Sequence, residues 1–257
     1  MREIREYRVK KGTVALWWLG QNGFIFKSPE GVVFSTDLYL TDSCAKVAPN
    51  GMDFHRQVPV LIPPEEIDVD LFACTHNHQD HTDPETIARL RNKDTAMFVG
   101  PHPSCDVYQK EGVESGRIEP IWPDHTVEYG DVRIRGAFAL PTDDTDLNHV
   151  GFLIEVFGCP RIYMTGDTAE SELLTSAAKF RPELMITCIN GGFKNLSHDQ
   201  AARLAAQIGP RAAIPCHYDM FPDNSANPQQ FRASLQLRAP DIRYVAPEHG
   251  RLLVYEK

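Results

Sequence analysis

Between Thr75 and His81 the chain places four metal-capable side chains in six residues, His76, His78, Asp80 and His81, in the spacing H-x-H-x-D-H. The apolar run before it, 70–74, reads as a short buried strand. The stretch after it, Thr82-Asp83-Pro84-Glu85, reads as a helix start, with Asp83 as N-cap and Pro84 at the first helical position. The cluster therefore sits on a loop leading from a strand into a helix. A strand alternates its side chains and a helix repeats them every 3.6 residues, so only an irregular loop can aim this spacing at one point. A lone histidine is usually a surface or core residue. Three with an aspartate in so short a window are not explained by packing. Imidazoles with a carboxylate suit zinc, manganese or iron(II) better than magnesium or calcium.

The chain has 257 residues, 42% of them hydrophobic, enough for one large core, and is read as a single domain, 1–257. Its formal net charge of −9 argues against gripping nucleic acid or an anionic membrane, both of which reward Lys and Arg. A local basic pocket for a phosphorylated substrate stays open. The six cysteines are scattered without a C-x-x-C pair, and buried free thiols are expected. Cys216, beside His217, is a weaker metal candidate. The start is charged and lacks an apolar signal region. No apolar run reaches the ~20 residues needed to span a bilayer. A soluble, cytoplasmic protein is the expectation.

Three strands are expected between 13 and 38, with turns at 20–23 and 29–31. Residues 39–67, rich in Pro and Gly, read as a long loop. It either borders the mouth of the site, with His55 and Arg56 as substrate contacts, or is a plain surface excursion. Further on, helices are expected at 85–91, 103–110 and 171–180. A hairpin turning at Gly130-Asp131 joins 126–129 to 132–140. Buried strands follow at 150–154, 161–165, 184–189 and 212–214. Ser197-His198-Asp199-Gln200 is a capping-box pattern opening a helix with Ala201, Leu204, Ala205 and Ile208 on one face. Asn227-Pro228 opens another, and strands at 243–246 and 252–255 close the chain. His102, His125, His198 and His249 read as surface or turn residues.

The histidine–aspartate loop, together with Trp18-Leu19-Gly20-Gln21, Tyr163-Met164-Thr165-Gly166-Asp167, Ile189-Asn190-Gly191-Gly192 and Ile214-Pro215-Cys216-His217-Tyr218-Asp219, resembles the metallo-β-lactamase fold superfamily. The wider pattern is similar to its L-ascorbate-6-phosphate lactonase-like branch. The resemblance implies an α/β fold, an αββα four-layer sandwich with a site for two divalent ions at one edge of the sheets. It implies Asp167 as the bridge between the ions and His217 as the last histidine ligand. His149 is the only histidine near the loop where the family keeps a third; Asp143, Asp144 or Asp146 could serve instead, or face solvent. One ion site then takes His76, His78 and His149, the other Asp80, His81 and His217. By the same pattern Asp37 hydrogen-bonds a ligand histidine from behind, a common arrangement; a turn-capping aspartate is the alternative.

Two such ions, manganese or zinc with iron also suited, lower the pKa of a bridging water and supply a hydroxide for attack on a carbonyl or phosphorus centre. Asp80 is the candidate for carrying the proton to the leaving oxygen. Gln21, Asn190, Gly191 and Lys194 are candidate substrate contacts, although Lys194 also reads as a solvated surface lysine. The expected activity is a metal-dependent hydrolase, a lactonase acting on a sugar-acid or sugar-phosphate lactone by resemblance. The alternatives are a phosphodiesterase on a small or cyclic phosphodiester, and a non-catalytic metal-stabilised binding module. A structural zinc site closes with four ligands, which disfavours the last. The partner is then a small molecule, without nucleic acid or membrane; a homo-oligomer is compatible with the sequence.

Overall fold

Strand β1 (Thr13–Trp18) is buried along its whole length yet divides its side chains between two cores. Val14, Leu16 and Trp18 join one hydrophobic cluster, Ala15 and Trp17 another. That is the two-residue period of a strand covered on both faces, so a layer must lie on each side of it. The computed structural model, which describes residues 1–256, shows those layers.

The first sheet is built from β1, β2 (Phe24–Lys27), β3 (Val33–Thr36), β4 (Leu71–Ala73), β5 (Met97–Gly100), β6 (Ile118–Pro120) and, from the end of the chain, β14 (Leu252–Glu256). Its order is β14-β1-β2-β3-β4-β5-β6. The second contains β7 (Thr126–Tyr129), β8 (Val132–Phe138), β9 (Val150–Val156), β10 (Ile162–Met164), β11 (Leu184–Cys188), β12 (Ala212–Cys216) and β13 (Arg243–Tyr244). It runs β13-β12-β11-β10-β9-β8-β7. Phe24, Phe26 and Phe34 from the first sheet and Phe152, Ile154 and Met164 from the second share the larger cluster between them. The outer face of the first sheet, through Phe72 and Phe98, is covered by α2 (Pro84–Arg89) and α3 (His102–Lys110), which contribute Ile87, Cys105 and Tyr108. The second sheet is covered by α4 (His198–Ile208) and α5 (Pro228–Arg238), through Ala201, Ala205, Phe231 and Leu235.

Topology decides where chemistry can sit. Strands β3, β4, β5 and β6 run parallel, as do β10, β11, β12 and β13. Loops leaving the carboxyl ends of parallel strands gather on one edge, the usual place for a site in such sheets. Here the edge is stitched across the two sheets: the Val150 amide donates to the Thr75 carbonyl at 3.0 Å and the His217 amide to the Gln21 carbonyl at 3.1 Å.

The capping box of α4 is complete, with Gln200 N–H donating to Ser197 Oγ and Ser197 N–H to Gln200 Oε1, and Gly209 ends the helix in the left-handed conformation. Residues Glu172–Phe180 form a 3₁₀ helix rather than the α-helix expected for 171–180. A five-residue α-helix, Arg2–Glu6, precedes the first strand where none is expected from sequence. His198 is half-buried instead of on the surface, its Nδ1 2.9 Å from Ser234 Oγ on α5. All six cysteines are buried. Among the described residues no helix is long and apolar enough to cross a membrane.

Candidate metal centre

The metal-capable loop leaves β4 and folds back on itself: the amides of His81 and Thr82 both donate to the His78 carbonyl. Thr82 Oγ1 donates to the His76 carbonyl at 2.6 Å, and Asp83 caps α2 by accepting from the Glu85 amide at 3.1 Å. The turn so formed brings His76, His78, Asp80 and His81 to one side. His149 arrives at the entry to β9, Asp167 just after β10, and His217 just after β12. Gly166 makes the second approach feasible. Its φ is +62°, and a Cβ there would lie 2.9 Å from the Val150 carbonyl oxygen and 3.0 Å from Thr75 Cβ.

Two triads result, each with one ligand atom per residue and all three atoms within 4.8 Å: His76, His78, His149 and Asp80, His81, His217. A third combination, His76, His81 and Asp167, links them. Asp167 stands between the halves. Its Oδ1 is 3.5 Å from His81 Nε2 and its Oδ2 3.2 Å from His217 Nε2. Its main-chain oxygen lies 3.1 Å from His149 Nδ1, which leaves His149 Nε2 for a ligand bond.

The donor set fits divalent ions. Nε2 of His76, His81 and His149 are buried without a hydrogen-bond partner. Unpaired buried polar atoms are rare and costly, and three imidazole nitrogens left so in one place are accounted for by metal coordination. Asp37 supports the arrangement from behind. Its Oδ2 is 3.0 Å from His81 Nδ1 and accepts from Thr75 Oγ1 at 2.8 Å, while its Oδ1 accepts from the Thr75 amide at 2.7 Å. Backbone strain collects here: Asp37, Gln21 and His217 all have positive φ, a conformation that surrounding structure must impose.

The electrostatics differ between the triads. Burial, then the neighbouring imidazoles, hold His76 well below the ordinary histidine value, and burial lowers His149. Burial also opposes charging of His81, but Asp80, Asp167 and Asp37 outweigh it and lift the group well above that value. His217 is raised to about 9 because Asp167 and Asp80 overcome its burial. Burial pushes the Asp167 carboxyl up, yet His217 and His81 pull it well below the usual carboxylate range.

A cavity of about 480 Å³ opens on this centre. His78, Asp80, Asp167 and His217 reach it; Thr142, Asp143, Asn195 and Asn224 form a polar wall; Val47, Pro49, Phe54, Phe193 and Phe221 form an apolar one. The 39–67 loop does border the mouth, pinned to the metal loop by Asp83, which accepts from Thr41 Oγ1 at 2.7 Å and Ser43 Oγ at 2.9 Å.

The residues expected to touch substrate need correction. Gln21 is fully buried behind the wall, donating from Nε2 to Asp80 Oδ2 at 2.7 Å; it positions Asp80. Asn190 donates to Asn224 Oδ1 at 2.8 Å and supports that wall residue. Gly191 and Lys194 are exposed and do not line the cavity. His55 is exposed and paired with Asp53, and Arg56 donates to the carbonyls of Tyr39 and Val58. In their place the cavity is lined by Phe54, Phe193 and Asn195, neighbours of the residues singled out. Of the rival aspartates, Asp143 lies 3.3 Å from His78 Nε2, Asp146 accepts from the Asn77 amide at 2.9 Å, and Asp144 is exposed. Two amides escaped notice in the sequence: Asn22 and Asn195 donate to the two Asp167 oxygens at 3.2 and 2.6 Å. Cys216 donates to Asn22 Oδ1 at 2.8 Å and stands outside both triads.

Comparisons with known proteins agree with this fold. A family model described as the beta-lactamase superfamily domain matches residues 38–218. The probable L-ascorbate-6-phosphate lactonase UlaG of Salmonella heidelberg is 24% identical over 290 residues, covering 94% of this chain and 80% of that protein. The solved structure of Igni18, a metallo hydrolase from Ignicoccus hospitalis, superposes with a TM-score of 0.75 at 20% identity, covering 95% of this chain and 99% of that one. Isothiocyanate hydrolase from Delia radicum gut bacteria gives a TM-score of 0.75 at 17% identity, with 95% and 100% covered. The metallo-beta-lactamase fold protein YhfI from Bacillus subtilis gives 0.68 at 13% identity, with 95% and 100% covered. The architecture is thus the expected αββα sandwich of the metallo-β-lactamase type.

Proposed function

The chain belongs to the beta-lactamase superfamily, and from that premise we propose that it is a metal-dependent hydrolase that opens a small lactone with water. The observation that carries this reading is the pair of triads joined through Asp167 at the floor of a cavity, with buried imidazole nitrogens that have no other partner. His76, His78 and His149 would hold one divalent ion, and Asp80, His81 and His217 a second, with Asp167 shared. Manganese and zinc both suit this mixture of imidazole and carboxylate. Ions held there supply Lewis acidity toward a carbonyl and bring the pKa of water toward neutrality.

The chain's own groups do the rest. Asp37 fixes the ring orientation of His81, so that its Nε2 faces the site. Asn22 and Asn195 hold the Asp167 carboxylate, and Gln21 holds that of Asp80. Asp80 reaches the cavity, which supports it as the carboxylate that takes a proton from water and returns it to the departing ring oxygen. The lactone assignment draws on the likeness to the UlaG proteins, which spans most of both chains.

The test is an assay of the metal-loaded protein on a lactone panel and on bis-p-nitrophenyl phosphate, before and after chelation. Chelator-sensitive turnover of lactones supports the reading. Turnover of the phosphodiester alone replaces it with phosphodiester cleavage, and stable metal without turnover of either replaces it with a binding role.

A further inference from the structure

We propose that the cavity selects an uncharged substrate bearing an apolar substituent, seated against Phe54, Phe193 and Phe221, rather than a phosphorylated or carboxylated one. This rests on the hydrolytic reading above and narrows its substrate class. The three phenylalanines come from three separate segments and meet as one aromatic surface. Phe54 stacks on Phe221 with centroids 5.2 Å apart and meets Phe193 edge-on at 5.9 Å. Val47 and Phe193 are 59% and 45% exposed, and both line the cavity. Large apolar side chains left open to water are informative when they gather around a pocket beside polar groups.

The backbone commits to this placement. Phe193 and Lys194 both hold a left-handed conformation, φ +52° and +65°, which bulky residues avoid. The turn puts the phenyl ring on the cavity wall and leaves the lysine outside it. Arg56, the cation nearest Phe54 in sequence, donates from Nη1 and Nε to the Tyr39 and Val58 carbonyls, leaves its buried Nη2 unpaired, and does not line the cavity. No lysine or arginine is among the lining residues, whereas Asp143 is. An anionic substituent on the apolar wall would lose its hydration with no cation to receive it. Ions held by the triads would act on the reacting carbonyl, and the aromatic surface itself offers an anionic group no lysine or arginine.

Slowly reacting lactams separate recognition from turnover. Binding of 2-pyrrolidinone, 5-pentyl-2-pyrrolidinone and the same pentyl lactam ending in a carboxylate is measured calorimetrically on the zinc-loaded protein. The pentyl lactam should bind at least about tenfold tighter than the parent, and the carboxylate should erase that gain. F54A and F193A should each remove most of the gain, while F54L and F193L, which keep an apolar wall, should retain it. Equal or tighter binding of the carboxylate overturns the inference, as does a pentyl gain that survives both alanine variants, or no binding of the pentyl lactam. If the phenylalanine-dependent preference holds but no lactone is turned over, the lactonase reading falls and this inference stands. If lactones are turned over without such a preference, the reverse is true.

Discussion

The two triads hold similar ligands in opposite electrostatic settings. His76 is desolvated and surrounded by imidazoles, so burial and neighbours favour its neutral form, and burial lowers His149 against the opposing pull of Asp167. His81 and His217 are equally buried, but Asp80, Asp167 and, for His81, Asp37 stabilise the imidazolium. An ion entering the first triad finds those two rings ready to coordinate at neutral pH. An ion entering the second must displace protons that the carboxylates hold in place. The lesson is that burial alone does not set the state of a metal-binding histidine; the count of adjacent carboxylates does. It follows that the two halves should load with different dependence on pH.

His217→Ala attacks one half only and carries the largest expected effect. It should lower kcat/KM by roughly 10²–10³-fold while elemental analysis still finds about one metal equivalent, held by His76, His78 and His149. Loss of both equivalents would erase the division between the halves.

A pH titration of the metal-free protein comes next. His217 rises from an ordinary 6.5 to about 9 on folding, so between those values the folded state binds the extra proton. Stability from this group is full below about pH 6.5 and is lost as pH climbs toward 9, on the order of 3 kcal/mol. Urea unfolding across that range should show the decline, and His217→Ala should make it shallower, the remainder coming from His81, which is raised as well. A stability that rises with pH there would contradict the assignment of charge to this half.

Asp37→Asn should weaken metal binding in the second triad by about 10–100-fold and leave the first unchanged, as read by chelator competition. Equal weakening of both would mean that Asp37 supports the loop rather than His81. The smallest effect belongs to Gln21→Ala. Losing its hydrogen bond to Asp80 should cost about 1–2 kcal/mol in thermal unfolding of the metal-free protein, and no change would show Asp80 to be held by other contacts.

How much of this was legible in the sequence follows from how local each signal is. The 76–81 loop declares itself because its ligands are adjacent and its flanks are a strand and a capped helix. Asp167 and His217 carry no spacing of their own and were found through resemblance, each at the end of an apolar strand. His149 competed with three aspartates in one loop, and only the path of that loop brings its ring to His76, with centroids 4.0 Å apart. Gln21 and Lys194 were misplaced for one physical reason. Both have positive φ, so their side chains leave the backbone in directions that an extended or helical reading does not anticipate. Asn22 and Asn195 are uncharged amides in turns, with nothing in sequence to tell them from other asparagines. The 3₁₀ path of Glu172–Phe180 was likewise hidden, since apolar spacing is similar for tight and ordinary helices over nine residues.

Anomalous diffraction from crystals of the protein grown with manganese tests the paired-triad claim most directly. The account predicts two peaks, one against His76, His78 and His149 and one against Asp80, His81 and His217, with the Asp167 carboxylate touching both. A single peak, or a second ion out of reach of Asp167, would contradict it.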